Sequence, residues 1–591
     1  MSIYIISLLV IIIIIFGLFH IIFFKNRNET NYFLKGNTFN FIETLFEEKE
    51  EIYVSIDFGN YESKYAYNIG EDIDKIRIGN MGDYPSLVVL YTSNHTAKNY
   101  GLKSSHSISN YNKDELSQII YIDNLKLKIF EKKKKDEIEY RKNKIYKKAI
   151  IEYLKLFSDD ALKEINSKIR NEKNKYKKEE VNWIITTPNL WDDINKLNLM
   201  EYAKQAGMNN IDLVIETEVA LIQYYFANNK NLKEGEICMI INLGDYIVDI
   251  SIFRIIEPFG IYEKISYSLG GTFGSMNINN DIINIIKDGL GKEIIENAKK
   301  NNFGKYLETL EDIEAIKKKI NGNEAYNYEI NAKFKKMSIW EKFFKSNRNS
   351  FTYNNQDINY DENKIYFPAN IFIKIIENRV NNIIEYVKEI SNLYLEKNVK
   401  IDHVILTGGF SNCNILRQKF HNISHDIIFD SNNLALKGAL IYKIHRKNND
   451  YIKFRFNQNS YWIENFKKIQ ENEICKKKIS KNGYFYCCFF EKLIEKGQKI
   501  PSNFKITKFF EPININQTYI YINFYKSNSI KLENSDDDYF GTLEINLINQ
   551  NITKDFKLKI LMTFNEFLKF KVINLYTNKS ISYIFHLRNQ E

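Results

Sequence analysis

Residues 52–67 read Ile-Tyr-Val-Ser-Ile-Asp-Phe-Gly-Asn-Tyr-Glu-Ser-Lys-Tyr-Ala-Tyr. Alternating apolar residues enter and leave a turn at residues 57–61, which is the pattern of a β-hairpin. Backbone N–H groups around Gly59 are suited to hold a phosphate, and the Asp57 carboxylate is suited to hold a metal ion through water. Aspartate and glycine also occur in ordinary hairpin turns, so this hairpin indicates a phosphate site only together with matching segments elsewhere.

A second hairpin of the same design is predicted at residues 237–253. An apolar strand enters a turn at residues 242–246, and a second apolar strand leaves it. Residues 181–225, between the two hairpins, alternate strand, helix, strand and helix, which predicts a covered sheet. Two such hairpins in one chain indicate a duplicated nucleotide-binding fold, with a phosphate tail between the two turns.

Two glycine-rich segments follow the second hairpin. Residues 268–275 read Ser-Leu-Gly-Gly-Thr-Phe-Gly-Ser, and residues 403–411 read as a strand that ends in Thr-Gly-Gly-Phe-Ser. Glycines at the end of a strand let a base or a phosphate approach the backbone closely, and a following helix adds N–H donors. We therefore expect both segments to line the same cleft as the hairpins.

The length and charge of the chain limit its organisation and its partners. At 591 residues it is long enough for two or three domains. The formal charge is +9, and residues 131–148 alone hold nine Lys or Arg against four acids. Such a run is typical of a solvated helix face. No aromatic-interleaved basic groove and no zinc pattern accompanies it, so we predict no nucleic acid partner.

Residues 3–24 carry no charged side chain. A helix of that length spans roughly 33 Å, close to the ~30 Å hydrocarbon core of a bilayer. We therefore predict a single-pass transmembrane anchor over residues 1–24 and a tether over residues 25–50. Basic residues follow the segment and none precedes it, so the positive-inside rule predicts a cytoplasmic large domain. The lumen of the endoplasmic reticulum is the alternative.

The order of these segments resembles the actin-like ATPase domain of the heat-shock 70 chaperone family. In that order the chain reads an Asp-Phe-Gly hairpin, Thr-Pro-Asn-Leu-Trp-Asp, Glu-Thr-Glu-Val-Ala-Leu, the second hairpin, Gly-Gly, and Thr-Gly-Gly-Phe-Ser. Leu-Lys-Gly-Ala at residues 436–439, and residues 151–162, look most like the divergent heat shock 70 kDa protein 12 branch. The resemblance implies an α/β fold, with a duplicated actin-like (ribonuclease H-like) two-lobed nucleotide-binding domain over residues 51–447.

Residues 448–591 change to short alternating runs, which predict an antiparallel β-rich domain. Residues 493–501 and 519–525 are similar to the start of the family's peptide-binding β-sandwich. The resemblance therefore implies a β-sandwich-like, peptide-binding-like domain over residues 448–591. A generic sandwich is the alternative.

The resemblance also implies roles for individual residues. Magnesium would be held through water by Asp57 and Asp249. The family's proline switch falls on Pro188, with its basic partner at Lys196. Residues with catalytic roles fall on Asp57, Lys126 or Lys128, Glu216 and Asp249. Nucleotide-binding positions fall on Gly59, Asn60, Tyr61, Gly244, Gly271, Gly274, Glu314, Lys317, Lys318, Asn321, Gly408, Gly409 and Phe410.

The second hairpin departs from the family pattern. Of three glycines only Gly244 is kept, Asn242 replaces a carboxylate that helps to hold magnesium, and Ile247 replaces a hydroxyl that contacts phosphate. Asp245 would face the phosphates, where two like charges about 4 Å apart cost about 4 kcal/mol at an effective dielectric near 20. Bound magnesium could reverse that penalty by bridging the charges. We expect ATP or ADP as the ligand, weak phosphate binding, and slow or absent hydrolysis.

These features predict a membrane-anchored, divergent heat-shock-70-like protein that binds adenine nucleotide and has a chaperone or protein-folding role. The expected partners are the membrane, extended peptide segments and co-chaperones. The alternative is a non-enzymatic actin-fold scaffold that recruits partners to a membrane. A sugar or acetate kinase of the same superfamily is disfavoured, because Thr-Pro-Asn-Leu-Trp-Asp and the β-rich region look chaperone-like.

Overall fold

The computed structural model describes most of the chain from residue 49 onward. The predicted transmembrane anchor and nearly all of the predicted tether, residues 1–48, lie outside the described residues. Within the part that is described, no helix is both long enough and apolar enough to cross a bilayer. Glu51–Glu591 form one compact unit. The described residues are 49–79, 84–101, 113–130, 137–227, 232–257, 261–301, 303–322, 326–332, 350–361, 363–421, 427–429, 433–445, 451–470, 478–481, 484–501, 504–512, 516–532, 538–548, 550–553, 556–564 and 568–587.

The first lobe is built around the hairpin predicted at residues 52–67. Its strands are β1 (Ile52–Asp57), β2 (Glu62–Ile69), β3 (Arg77–Ile78), β4 (Tyr84–Pro85), β5 (Val88–Tyr91), β6 (Ala97–Tyr100), β7 (Ile119–Ile122), β8 (Val181–Thr187) and β9 (Asn210–Ile215). Its helices are α1 (Lys113–Ser117), α2 (Leu125–Phe130), α3 (Glu137–Ser167), α4 (Asp193–Gln205) and α5 (Glu216–Ala227).

The second lobe is built around the hairpin predicted at residues 237–253. Its strands are β10 (Ile237–Leu243), β11 (Val248–Glu257), β12 (Ile261–Lys264), β13 (Leu269–Gly271), β14 (Asn327–Asn331), β15 (Ser350–Tyr353), β16 (Gln356–Tyr360), β17 (Lys364–Pro368), β18 (His403–Thr407) and β19 (Ile427–Phe429). Its helices are α6 (Met276–Leu290), α7 (Lys292–Asn301), α8 (Phe303–Lys319), α9 (Ala369–Leu395), α10 (Asn414–His421) and α11 (Leu434–His445).

The two lobes repeat one strand order. The first-lobe sheet runs β3-β2-β1-β8-β9, and the second-lobe sheet contains β12-β11-β10-β18-β19. In both sheets the first three strands are antiparallel neighbours and the last two join in parallel. The turn between the hairpin strands is four residues long in each lobe, residues 58–61 and 244–247. The chain therefore has the predicted duplicated, actin-like α/β fold.

Covered faces explain why most positions of β1 are apolar. Ile52, Val54 and Ile56 face one apolar core with α3 and α4, whereas Tyr53 faces another core shared with α5 and α11. Since successive side chains of a strand point to opposite faces, a strand covered on both sides carries apolar residues on both faces. The buried Ser55 hydroxyl is satisfied by a hydrogen bond to the Leu436 carbonyl. α11 packs against both β1 and α5, so it ties the end of the second lobe to the first.

The C-terminal region continues the second-lobe sheet and then forms a sandwich. Its strands are β20 (Ile452–Phe456), β21 (Ser460–Ile469), β22 (Lys478–Lys481), β23 (Tyr484–Ile494), β24 (Lys499–Pro501), β25 (Lys505–Phe510), β26 (Tyr519–Ser527), β27 (Tyr539–Asn546), β28 (Leu558–Phe564), β29 (Leu568–Asn574), β30 (Lys579–Ser580) and β31 (Tyr583–Leu587). β20 pairs with β12, and β24 pairs with β20. Two further sheets, β22-β23-β21-β26-β27-β31 and β25-β28-β29-β30, share one apolar core.

Candidate functional site

A cleft of about 240 Å³ lies where the two hairpin turns approach each other. It takes side chains from both lobes, at the ends of β1, β10 and β18 and along α8. The predicted site residues that line it are Asp57, Gly59, Asn60, Tyr61, Lys126, Pro188, Glu216, Gly244, Glu314, Lys317, Lys318, Gly408, Gly409 and Phe410.

Glycine is required at one position in each hairpin turn. A Cβ atom on Gly59 would lie 2.0 Å from the backbone oxygen of Glu62, and one on Gly244 would lie 2.7 Å from that of Ile247. The Gly244 N–H donates to the same Ile247 oxygen over 3.0 Å. The single glycine kept in the second turn is therefore one that its backbone geometry needs.

The two turns contact each other directly. The Asn60 amide donates to Asp245 Oδ2 over 3.1 Å, and the Ser275 hydroxyl donates to Asp245 Oδ1 over 3.1 Å. The same amide nitrogen donates to Asn124, while its oxygen accepts from the Leu127 N–H. Burial raises the pKa of the Asp245 carboxyl, although the charge of nearby Lys317 opposes this. The carboxylate is thus held between the lobes by donors from both.

A second contact between the lobes involves the predicted catalytic lysine. Lys126 Nζ lies 2.7 Å from Glu216 Oε1, and the Asn242 amide donates to Glu216 Oε2 over 2.6 Å. Burial raises the pKa of Glu216, while Lys126 lowers it and Asp57 raises it further. Lys126 also lies 5.8 Å from the Trp191 ring centroid. Asn242 therefore serves as a hydrogen-bond donor to Glu216, where the family has a carboxylate.

Of the two candidate lysines, Lys126 lines the cleft and Lys128 does not. The Lys128 ammonium lies 5.3 Å from the centroid of the Tyr146 ring on α3. Positions two residues apart do not share a face of a helix, and α2 carries both lysines. Lys126 is accordingly the candidate that could face a bound phosphate.

The two aspartates predicted to hold magnesium have different environments. Asp57 lines the cleft and accepts a hydrogen bond from the Thr186 hydroxyl over 3.3 Å. Asp249 is wholly buried, and its Oδ2 accepts from the Asn189 N–H over 2.6 Å. Burial raises the pKa of Asp249 to about 7. Asp57 alone of this pair is placed to bind an ion in the cleft through water.

No cluster of three or more His, Cys, Asp or Glu side chains suited to a metal ion occurs within the described ranges. Magnesium needs near-octahedral oxygen coordination and usually keeps several waters when it binds with a phosphate ligand. The carboxylate of Asp57 fits that mode, because it faces the cleft with one oxygen engaged by a neutral hydroxyl. The residues therefore fit a magnesium ion that arrives with a nucleotide.

The residues predicted to contact adenosine form a compact polar group on α8. Lys317 Nζ lies 2.5 Å from Glu314 Oε1, and the Asn279 amide donates to the same oxygen over 2.6 Å. Lys317 also donates to Asn279 Oδ1 and to the Ser275 carbonyl. Lys318, the next residue, is exposed and lines the cleft.

Several predicted site residues lie outside the cleft lining. Gly271 of β13 pairs with Val248 of β11, and the Gly274 N–H donates to the Tyr246 carbonyl of the second turn. Asn321 accepts a hydrogen bond from Asn414 over 2.6 Å. The full set is Lys128, Lys196, Asp249, Gly271, Gly274 and Asn321.

The segment around the predicted switch contacts the C-terminal region. Lys196 is buried, which lowers its pKa, while nearby Asp193 raises it. Asp193 lies 3.1 Å from Lys526 and accepts a hydrogen bond from Tyr461. These contacts connect α4, which begins five residues after Pro188, to the sandwich.

A second buried group of charges makes a similar connection. Glu218 lies 2.7 Å from Arg455 and 3.2 Å from Lys264. Burial alone would raise the pKa of Glu218, but the two cations lower it to about 2. Lys264 also donates to Asn189 Oδ1 over 2.6 Å. Asn189, which follows β8, is therefore linked through Lys264 and Glu218 to Arg455 in the C-terminal region.

The sequence did not indicate several residues that line the cleft. Trp191 occurs inside the Thr-Pro-Asn-Leu-Trp-Asp segment, so its motif was a usable signal. Asn433 precedes α11 with a φ of 54°, and nothing in its local sequence marks it as a cleft residue. Phe130 and Tyr246 approach from different lobes, with their ring centroids 6.2 Å apart. Only the folded chain brings them together.

Three comparisons relate this chain to known proteins. A family model described as Hsp70 protein matches residues 118–358. Heat shock 70 kDa protein 12A from Mus musculus and from Homo sapiens are each 20% identical over 624 residues, covering 90% of this chain and 90% of each relative. The crystal structure of MreB 5 of Spiroplasma citri bound to AMPPNP is 13% identical with a TM-score of 0.42, covering 67% of this chain and 98% of that one. The first two findings confirm the resemblance to the heat-shock 70 family.

Proposed function

Because a heat-shock 70 family model matches part of the two-lobed domain, we propose that this chain binds adenine nucleotide, ATP or ADP, in the cleft between its lobes. The observation that carries the proposal is the direct contact between the two hairpin turns, through Asn60 and Asp245. Two turns of equal length, from lobes of equal strand order, line one cleft together with the glycines that follow β18.

The lining residues support distinct roles for the parts of the ligand. Gly408 and Gly409 present backbone against which a base could pack, and Glu314 with Lys317 offers polar groups for a ribose. Asp57 would hold magnesium through water, and the ion would neutralise phosphate charge when bound.

We expect hydrolysis to be slow or absent. Lys126 already forms an ion pair with Glu216 at 2.7 Å, so it is not free to orient a water molecule. The carboxylate of Asp245 stands where phosphate charge would have to be stabilised, and like charges repel. Electrostatic stabilisation of the transferring phosphoryl group is the main source of rate enhancement in such reactions.

We further propose a chaperone or protein-folding role, in which lobe closure is passed to the sandwich. The buried contacts of Asp193 with Lys526, and of Glu218 with Arg455, support this coupling. A ligand shifts such a closure only as far as its affinity differs between the two states. Extended peptide segments and co-chaperones would be the partners.

A scaffold that recruits partners without catalysis is the second candidate. It is favoured by the way Asp245 and Glu216 already have their hydrogen bonds and ion pairs satisfied by protein groups. A cleft of this kind does not depend on a ligand for its closure.

We also propose that the charge-free residues 3–24 anchor the chain in a membrane as a single span, with the large domain in the cytoplasm. The endoplasmic reticulum lumen is the alternative. Alkaline extraction of membranes tests the anchor, and protease protection tests the orientation. Release of the chain by alkaline carbonate would contradict a spanning segment.

Nucleotide binding is tested by the unfolding temperature of the full-length chain with magnesium-ADP, magnesium-ATP, adenosine or no ligand. A ligand at 100 times its Kd stabilises the fold by about 2.7 kcal/mol. Gly409→Leu is the blocked variant, because a Cβ atom there meets nothing within 4 Å and projects into open space. Gly409→Ala is its matched control. Absence of a shift with every adenine ligand at millimolar concentration would contradict the proposed function.

A further inference from the structure

The Asp245 carboxylate lies between the two hairpin turns. It obstructs the path from the end of the cleft at Gly408 and Gly409 past these turns. Asp245 receives hydrogen bonds from Asn60 on one side and from Ser275 on the other, each over 3.1 Å. Asn60 is itself fixed by the Asn124 side chain and the Leu127 N–H. A phosphate tail between the two turns would have to displace this arrangement.

The charges around the cleft do not favour a polyanion. Five carboxylates line it, against four lysines. Three of those lysines, Lys64, Lys126 and Lys317, already lie within 2.7 Å of a lining carboxylate. A triphosphate brings about four negative charges. A nearby carboxylate would repel each of them with an energy set by the distance and the local dielectric.

The surroundings of the turns are aromatic and aliphatic. Tyr61, Phe130, Tyr246 and Ile247 line the cleft there, and Trp191 lines it beside Lys126. Phosphate oxygens require several hydrogen-bond donors or cations when they are removed from water. Phe130 and Ile247 supply neither, and each Tyr or Trp side chain supplies one neutral donor. None of these five side chains carries a positive charge to offset that of a phosphate.

The opposite end is suited to a nucleoside. Gly409 leaves the backbone open there, Phe410 offers an aromatic ring, and the pair of Glu314 and Lys317 supplies polar atoms. The volume of about 240 Å³ is below the ~300–1,000 Å³ usual for small-molecule sites. A ligand smaller than a nucleoside triphosphate fits these dimensions better.

We infer that the cleft selects adenosine over ATP, and that Asp245 is the residue that sets this selectivity. The inference rests on the proposed adenine site between the lobes, and it ranks the ligand without a phosphate chain above the nucleotides. Asp245 acts by charge and by position, since its carboxylate lies between the turns where the β- and γ-phosphates would have to pass.

The test is calorimetric titration of the full-length chain with adenosine and with ATP, each with and without magnesium. We expect adenosine to bind at least ~10-fold more tightly than ATP, which corresponds to about 1.4 kcal/mol. Asp245→Asn removes the charge while keeping the shape, and should tighten ATP binding at least ~10-fold while leaving adenosine within about twofold. Asp288→Asn is the matched control, because Asp288 is exposed near the far end of α6 and outside the cleft lining.

Asp245→Ser provides a second variant if the asparagine variant fails to fold, and a thermal melt verifies the fold of each. ATP binding as tight as adenosine in the unaltered chain would overturn the inference. An unchanged ratio of the two affinities in both Asp245 variants would also overturn it. Binding of neither ligand would overturn the proposed function as well, so the two failures give different results.

Discussion

The Asn60 side-chain amide donates a hydrogen bond to the Asp245 carboxylate over 3.1 Å, joining two hairpin turns that are 185 residues apart in the chain. Each turn belongs to a lobe with the same strand order, so the contact relates equivalent parts of a duplicated fold. It also puts a negative charge between the turns, where a phosphate-binding protein would keep open backbone N–H groups. The contact therefore affects both the stability of the fold and the choice of ligand.

A double-mutant cycle with Asn60→Ala and Asp245→Ala should reveal energetic coupling between the turns. Asn60→Ala leaves a partly buried carboxylate with one donor fewer, which costs about 1–3 kcal/mol. Residues in direct contact give coupling energies of about 0.5–3 kcal/mol in such cycles. Urea unfolding of the four proteins measures this coupling. Additive effects of the two substitutions would contradict a direct contact between the lobes.

Lys126→Ala should destabilise the fold far more than Lys128→Ala. Removing Lys126 leaves the charge of Glu216 buried without its partner, which typically costs about 3–5 kcal/mol. Lys128 is partly exposed and lies near the Tyr146 ring, so its removal should cost less than about 1 kcal/mol. Chemical unfolding of both variants gives the comparison. Equal losses would show that Lys126 has no special place in the cleft.

Gly59→Ala should be strongly destabilising, whereas Gly409→Ala should be tolerated. A Cβ atom on Gly59 would lie 2.0 Å from a backbone oxygen, so the turn would have to shift, at a cost of about 1–3 kcal/mol or more. A Cβ atom on Gly409 meets nothing within 4 Å, and a change within about 0.5 kcal/mol is expected. Thermal melts of the two variants test this difference. A stable Gly59→Ala protein would contradict the geometry of the first turn.

The ion pairs of Glu218 should make stability depend on pH under acidic conditions. Because Arg455 and Lys264 hold the folded-state pKa of Glu218 at about 2, below its value of 4.5 in the unfolded chain, the ionised carboxylate stabilises the fold above about pH 4.5. This contribution, on the order of 3 kcal/mol, is lost as the pH falls from 4.5 toward 2. The free energy of unfolding, measured between pH 6 and pH 3, should fall less steeply in Glu218→Gln.

Glu293→Gln is the control for that series, since Glu293 is exposed on α7. Its pH dependence should match that of the unaltered chain. Parallel curves for the unaltered chain and Glu218→Gln would show that Glu218 is not held by its two cations.

Local sequence patterns were sufficient for the features of this fold that depend on neighbouring residues. The hairpins around Gly59 and Gly244 could be predicted, because a turn and its flanking alternation are encoded within about fifteen residues. The choice of Lys126 over Lys128 could not, because it depends on Glu216, 90 residues away. Likewise, the union of β20 and β24 with the second-lobe sheet depends on strands far apart in the chain.

The site residues show the same contrast between features that local patterns encode and contacts between distant segments. Asp249 was expected to help hold an ion, yet the structure places it wholly buried, with its carboxylate accepting a hydrogen bond from the Asn189 N–H. Asp245 was expected to face the phosphates, but its bond to Asn60 depends on how the two lobes meet. Contacts between lobes are set by tertiary packing, which short patterns do not encode.

The most direct measurement is photolabelling of the full-length chain with an azido-adenosine probe, followed by mass spectrometry of the modified peptides. The account predicts adducts on the cleft-lining segments that contain Gly408 to Phe410 or Glu314 to Lys318, and their loss when excess adenosine competes. Adducts confined to other segments, or adducts that excess adenosine leaves unchanged, would contradict an adenine site between the two lobes.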